Sequence, residues 1–341
     1  MGKAGELQIP AFELPLSFYM SEEAKKAFIH NFLNPPPYNP TDDIAKLRKE
    51  DTASMMPWLE QARARYAVSI EERSIAGVPA AVVTPKSGIA AGNIDRVLIN
   101  LHGGAFAFGA GVGGLIESLP IAATGKITVI TLDYRQAPEY KFPAASEDIA
   151  NVYRELLKRY QAGNIGIYGC SAGGALTAMS VAWFQKERLP RPGAIGILCA
   201  AADAMLSGDS AYVSAATTGQ LPPQTPPDQR SHAAYPITYL NGVNLKDSLV
   251  SPVYDAAVLA KFPPTLVITG MRSAEASAAV YTHTQLVKAG VDADLHVWEG
   301  MWHGFIYDVS LPESQEAYDV IVKFFSLHLG KSGSVHAGPP N

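Results

Sequence analysis

Cysteine is nearly absent from this 341-residue chain, with only Cys170 and Cys199 present. Two thiols make no disulfide framework, so the expected setting is a reducing compartment, the cytoplasm. No apolar stretch approaches the roughly 18 residues a membrane-crossing helix needs, so nothing reads as a span. Positive charge is not in excess: 32 Asp and Glu stand against 27 Lys and Arg, a formal charge of −5. That leaves no electrostatic footprint for nucleic acid. The start, from Met1 to Glu6, lacks the apolar core of a signal peptide. Glu6 also stands where an N-myristoylation signal wants Ser or Thr. No self-similarity appears at a period of about 20–50 residues, which excludes solenoids and propellers.

What is present is apolar bulk. Hydrophobic residues make up 48% and charged residues 17%, enough for a large core and too little charge for extended disorder. Residues 1–66 read as a separate helical cap region. Ser21 can cap a helix opening with Glu22 and Glu23, which should stop at Pro35-Pro36-Pro37; a second starts at Thr41-Asp42-Asp43 and should break near Pro57. The aromatic and Met residues there either pack on the main body or line a pocket.

From Ala67 the hydrophobic period becomes two, and residues 68–75 and 80–84 read as antiparallel strands around Ala76-Gly77. Strands expected at 96–101, 127–132, 165–168, 194–199, 264–269 and 293–298 then alternate with helices at 113–123, 145–161, 172–188, 276–289 and 312–328. This predicts an α/β fold: an eight-stranded, mostly parallel sheet with helices on both faces, spanning 67–330. Residues 204–248 break the rhythm and read as an insertion contributing to the cap, and 331–341 as a flexible tail.

The stretch that carries chemistry is Gly169-Cys170-Ser171-Ala172-Gly173. Three apolar strand residues run into it and good helix formers follow. A strand-turn-helix elbow with Ser171 at its apex holds the hydroxyl clear of the sheet, and its neighbours two positions away must be small. Strand 96–101 ends in His102-Gly103-Gly104-Ala105-Phe106. Glycines there expose backbone N–H groups to a cleft, which acyl transfer needs to hold a developing oxyanion. Gly103 and Gly104 are the expected donors, with the amide of Ala172 as a third. His102 reads as a loop brace. Setting His102 aside, only His303 of the chain's eight histidines lies just past a strand end, between Gly300 and Gly304, where open α/β sheets place their chemistry. It is the expected general base.

Taken together, His102-Gly103-Gly104, Asp133 to Glu139 with Phe142-Pro143-Ala144-Ala145, Gly169 to Gly174, and Gly300 to Phe305 resemble, in order, the motif series of the hormone-sensitive-lipase-like branch of α/β-hydrolases. The resemblance spans about residues 60–330. It implies the α/β-hydrolase fold, an N-terminal cap, and hydrolysis of short-chain carboxylic esters through an acyl-enzyme. It implies no cofactor or metal and a small-molecule ester as the partner, and it leaves room for a homo-oligomer. It also implies that Asp133 to Glu139 is structural, tying the loop beneath the site.

Two positions depart from the pattern. Cys170 replaces a frequent Asp before the serine. Where the family reads Gly-x-Arg-Asp, this chain reads Gly270-Met271-Arg272-Ser273, and the triad carboxylate is missing. Glu275, two residues further along the loop, is the expected substitute. Asp203 is the next candidate, and a site with no carboxylate the third; Glu299 reads as a brace of the His303 turn. The vacancy at Ser273 also admits a catalytically weak, hydrolase-like binding protein. A further rival is dinucleotide binding: Gly109-Ala110-Gly111-Val112-Gly113-Gly114 fits Gly-x-Gly-x-x-Gly, and Asp133 ends the next strand. It fits poorly, because Gly103 to Phe108 separate those glycines from the strand end.

Overall fold

A computed structural model describes residues 13–33, 43–218 and 239–330. His232, His336, the Pro35–Pro37 run and the 331–341 tail lie outside the described residues.

Eight strands form one sheet in the order β1-β2-β4-β3-β5-β6-β7-β8. The first two, β1 (Val68–Ile75) and β2 (Val78–Pro85), pair antiparallel through a turn in which Ala76 and Gly77 both have positive φ (51° and 85°). That is the backbone hand that suits the twist of a two-residue hairpin. β2 runs antiparallel to β4 (Thr128–Leu132). Every later pairing is parallel, joining β4, β3 (Val97–Leu101), β5 (Ile165–Cys170), β6 (Ala194–Leu198), β7 (Thr265–Gly270) and β8 (Ala293–Trp298). β3, β5, β6 and β7 are buried along their whole length, as near-continuous apolar runs covered on both faces must be.

Helices α4 (Ala144–Leu156), α5 (Ala172–Lys186) and α8 (Ala276–Lys288) bury Tyr153, Phe184 and Leu286 on one face. On the other, α3 (Val112–Gly125) and α9 (Pro312–His328) bury Ile116, Leu119, Ile321 and Phe325. After β3 the chain steps to β4 on one side, then crosses to β5 on the other. Leu101 pairs with Gly169 at that reversal, so the ends of β3 and β5 open side by side into a crevice.

The residues before β1 form α1 (Glu22–Leu33) and α2 (Ile44–Arg65). Ser21 caps α1 as expected: its Oγ accepts from the Ala24 amide at 3.0 Å and donates to Glu313 of α9 at 2.9 Å. The break expected near Pro57 does not occur. α2 continues through it, with Leu47, Leu59 and Ala62 buried on its inner side, so tertiary packing offsets the hydrogen bond that proline removes. Arg48 of α2 donates to both carboxylate oxygens of Glu139 and to the carbonyls of Ala107 and Ala137, tying the helix to the loops beneath the crevice. Arg135 does the same from within, bonding Asp148 at 2.8 Å and Glu147 at 3.0 Å.

Within the 204–248 stretch, the described residues form α6 (Asp209–Thr217), and a single helical turn, α7 (Ala256–Leu259), precedes β7. Ser210 and Ser277 exchange amide–hydroxyl bonds, which dock α6 on the start of α8.

Candidate active site

The elbow forms where the spacing places it. Ser171 joins β5 to α5 at φ 57°, ψ −124°, a conformation L-residues rarely adopt and one that costs on the order of 1–3 kcal/mol. The small neighbours are obligatory. A Cβ on Gly173 would lie 1.7 Å from the Leu101 carbonyl oxygen, and one on Gly169 2.1 Å from the same atom.

His303 follows β8 on a turn whose glycines, Gly300 and Gly304, take φ of 75° and 71°. Its Nε2 lies 2.9 Å from Ser171 Oγ and its Nδ1 3.0 Å from Glu275 Oε2. Glu275, the residue before α8, is buried, and Thr269 Oγ1 donates to its other oxygen at 3.4 Å. In its neutral form, with the Nδ1 proton held by Glu275, the imidazole would present an unprotonated Nε2 to the serine. Burial acts to lower the His303 pKa, but the charge and hydrogen bond of Glu275 outweigh it and raise the group to about 9.

The other candidates for the acid are placed elsewhere. Asp203 lines the same cavity but accepts from the Met205 and Ser207 amides and the Tyr254 hydroxyl, closing its own turn. Glu299 is exposed on the turn before His303. Ser273 Oγ is buried without a hydrogen-bond partner among the described residues; its amide donates to the Gly270 carbonyl at 3.1 Å.

The oxyanion loop departs from expectation in one respect. The Gly103 amide is taken up by the Glu117 carboxylate at 2.8 Å, so it is not a free donor. Gly103 must still be glycine, since a Cβ would meet the Tyr307 hydroxyl at 2.3 Å. The amides of Gly104, Ala105 and Ala172 make no hydrogen bond among the described residues, and Ala105 and Ala172 line the cavity beside Ser171. Ala105, at φ 51°, escaped the sequence reading because an alanine gives no hint of a glycine-like backbone. Glu117 escaped it too, although it is the sole charged residue of α3 and an isolated charge in an apolar helix is a legible signal. His102 is the brace expected of it: fully buried, with Nδ1 2.7 Å from the Gly103 carbonyl and its ring stacked on Tyr134 at 4.5 Å.

The glycine run that resembled a dinucleotide fingerprint has packing causes. A Cβ on Gly114 would lie 2.2 Å from Thr131 Oγ1, so α3 crosses β4 at backbone distance. Asp133 accepts from the Gly111 amide at 2.8 Å and thereby fixes the start of α3.

Ser171 and His303 open into a cavity of about 490 Å³. Its walls are mostly apolar and include Phe106, Met179, Leu206, Ala215 and Leu240. Among the described residues none from α1 or α2 lines it. α1 packs instead on the His303 turn, where Phe28 and Phe32 contact Trp302 edge-on at 5.8 and 6.1 Å, and α2 packs on α3. Arg272, in the loop between β7 and Glu275, donates to the Pro15 and Thr217 carbonyls and lies over the Phe28 ring, joining the N-terminal segment to α6. No group of residues suited to hold a metal ion occurs among the described residues.

Residues 98–307 match the α/β hydrolase fold family. A Mycobacterium tuberculosis protein carrying the name acetyl-hydrolase LipR is 30% identical over 258 residues, which cover 75% of this chain and 80% of that protein. The crystal structure of one esterase superposes with a TM-score of 0.78 at 32% identity, over 95% of this chain and 99% of its own. An esterase from the bacterial hormone-sensitive lipase family superposes with a TM-score of 0.75 at 29% identity, over 91% and 99%. The chain belongs to the α/β-hydrolase fold family, in its hormone-sensitive-lipase-like branch.

Proposed function

We propose that this hydrolase is a serine carboxylesterase that cleaves short-chain esters through an acyl-enzyme. The observation that carries the reading is the continuous hydrogen-bonded line from Ser171 Oγ to His303 Nε2 (2.9 Å) and from His303 Nδ1 to Glu275 (3.0 Å), facing an apolar cavity. The esterase and acetyl-hydrolase names of its relatives support it.

In this reading Ser171 Oγ attacks the ester carbonyl carbon while His303 Nε2 takes the hydroxyl proton. Buried Glu275 stabilises the imidazolium so formed, the part an acid plays in a serine triad. The carbonyl oxygen becomes an oxyanion and accepts from the amides of Gly104, Ala105 and Ala172. Collapse breaks the bond to the alkoxy oxygen, which leaves as an alcohol with the proton from His303. Water, deprotonated by the same ring, then releases the acid. The reason to consider a non-catalytic binding protein was a missing carboxylate, and Glu275 offers one within hydrogen-bond distance.

The test is a panel of nitrophenyl esters of increasing acyl length, with Ser171→Ala as the blank. The expected outcome is turnover that peaks at short acyl chains, and a phosphonate probe that labels the wild type and not the variant. Equal labelling of Ser171→Ala, or preference for long-chain emulsified triglyceride, overturns the reading.

A further inference from the structure

Glu117 has no part in the proton transfers above, yet it bonds to three of the segments that build the site. It projects from α3 and is buried. Four donors converge on its carboxylate. Oε1 accepts from the Gly103 amide at 2.8 Å and the Tyr307 hydroxyl at 3.1 Å. Oε2 accepts from Asn100 Nδ2 at 2.8 Å and the Cys170 amide at 3.1 Å. Asn100 belongs to β3 and Gly103 to the loop that follows it. Cys170 precedes the nucleophile. Tyr307 ends the short helical turn Phe305–Tyr307 that follows His303. One carboxylate thus reaches the three chain segments that carry the oxyanion amides, the serine and the base.

We propose that Glu117 is a positioning residue for the reaction, holding Gly103, Cys170 and Tyr307 in one register so that the amides of Gly104 and Ala105 meet the oxyanion formed by attack of Ser171. The inference rests on the serine-esterase reading. Its physical basis is donor geometry. The two backbone N–H groups and the Asn100 amide can only donate, and Asn100 Oδ1 is already occupied by the Thr131 hydroxyl at 2.8 Å. An acceptor-only group, an ionised carboxylate, matches that set. Protonation would put a fifth hydrogen among four and release a partner. Burial opposes the charge while the four donors favour it, and the balance leaves Glu117 near 7. The titratable groups facing it are Tyr134, Tyr168, Tyr307 and Cys170; burial foremost holds each well above its ordinary pKa and so neutral. No buried cation compensates Glu117 among the described residues. An uncompensated buried charge is costly, and its retention under a catalytic loop points to positioning rather than packing.

The experiment compares the full-length wild type with Glu117→Gln, which keeps the shape and turns two acceptors into one acceptor and one donor. Nitrophenyl butyrate turnover is measured, together with inhibition by a trifluoromethyl ketone, whose adduct with Ser171 carries an oxyanion, and by the matching methyl ketone. The expected result is a loss in kcat of about 100-fold, the scale of losing an oxyanion donor, with KM changed less than about threefold. The trifluoromethyl ketone should weaken by the same factor and the methyl ketone should not, because only the former resembles the transition state. If kcat stays within about threefold of wild type, or both ketones weaken together, the inference is overturned. Should Glu117→Gln not fold, Tyr307→Phe removes one of the four donors. It should show the same split at about 10-fold, and an unchanged kcat refutes the proposal. A wild type that forms no adduct at Ser171 sinks the esterase reading, and this inference with it.

Discussion

Glu275 is where single side chains matter most. In the proposed triad it takes the part of a family carboxylate from two positions beyond Ser273; its Oε2 reaches His303 Nδ1 at 3.0 Å while its body stays buried. Against burial, its charge and its hydrogen bond raise His303 to about 9. A base that must be unprotonated to act then works better as pH rises, so kcat/KM should climb through an apparent pKa well above the ordinary 6.5 and up to about 9. Glu275→Gln keeps the shape and removes the charge. It should lower turnover by up to ~10⁴ and move the remaining pH profile toward lower pH. A pH–rate series on both proteins reads this, and an unshifted profile in the variant would show that Glu275 does not set the base.

The elbow shows what an element demands of its residues. Strand β5 can hand over to α5 only if the chain passes within contact of the Leu101 carbonyl, and no side chain fits there. Gly173→Ala places a Cβ 1.7 Å from that oxygen, and backbone cannot yield as a flexible side chain can. The expected outcome is loss of folded protein or destabilisation above the ~1–3 kcal/mol usual for overpacking. Gly92→Ala is the control, because a Cβ there meets nothing within 4 Å. Urea unfolding of the two variants checks the difference. α2 carries the opposite lesson. Pro57 reads as a breaker, yet three buried residues and the Arg48 bonds hold the helix through it.

Taken as a whole, the molecule carries a site acid and a site base whose pKa values folding raises within the working pH range, Glu117 from 4.5 to about 7 and His303 from 6.5 to about 9. A raised pKa means that the folded state binds more protons than the unfolded one across that interval, so stability falls as pH rises. The Glu117 contribution should be full below about 4.5 and lost as pH rises through 7; that of His303 should be full below about 6.5 and lost through 9. Denaturant midpoints should therefore decline from mildly acid to alkaline pH while activity rises. Glu117→Gln should flatten the lower part of the decline, and an unchanged pH dependence in that variant would contradict the linkage. The site would then be most active where it is least stable, a trade common to buried catalytic machinery.

Much of this was readable from residue order. The alternation of apolar strands with amphipathic helices prescribes a covered parallel sheet, because burial on two faces leaves few polar positions to spare, as in β6. Gly169-Cys170-Ser171-Ala172-Gly173 and the glycines around His303 are local requirements of backbone geometry, so they are visible locally. Long-range partners are not. Glu275 and Asp203 both lie near strand ends; the loop of the vacant Ser273 position favours Glu275, but it is the packing of α8 against β7 and β8 that brings its carboxylate to His303. Gly103 and Ala105 differ in sequence in the misleading direction. The glycine is needed for space and the alanine exposes its amide, and only Glu117, fourteen residues away on another element, separates their roles. Hydrogen-bond allocation depends on which donors arrive at one point in space, and chain order does not encode that arrival.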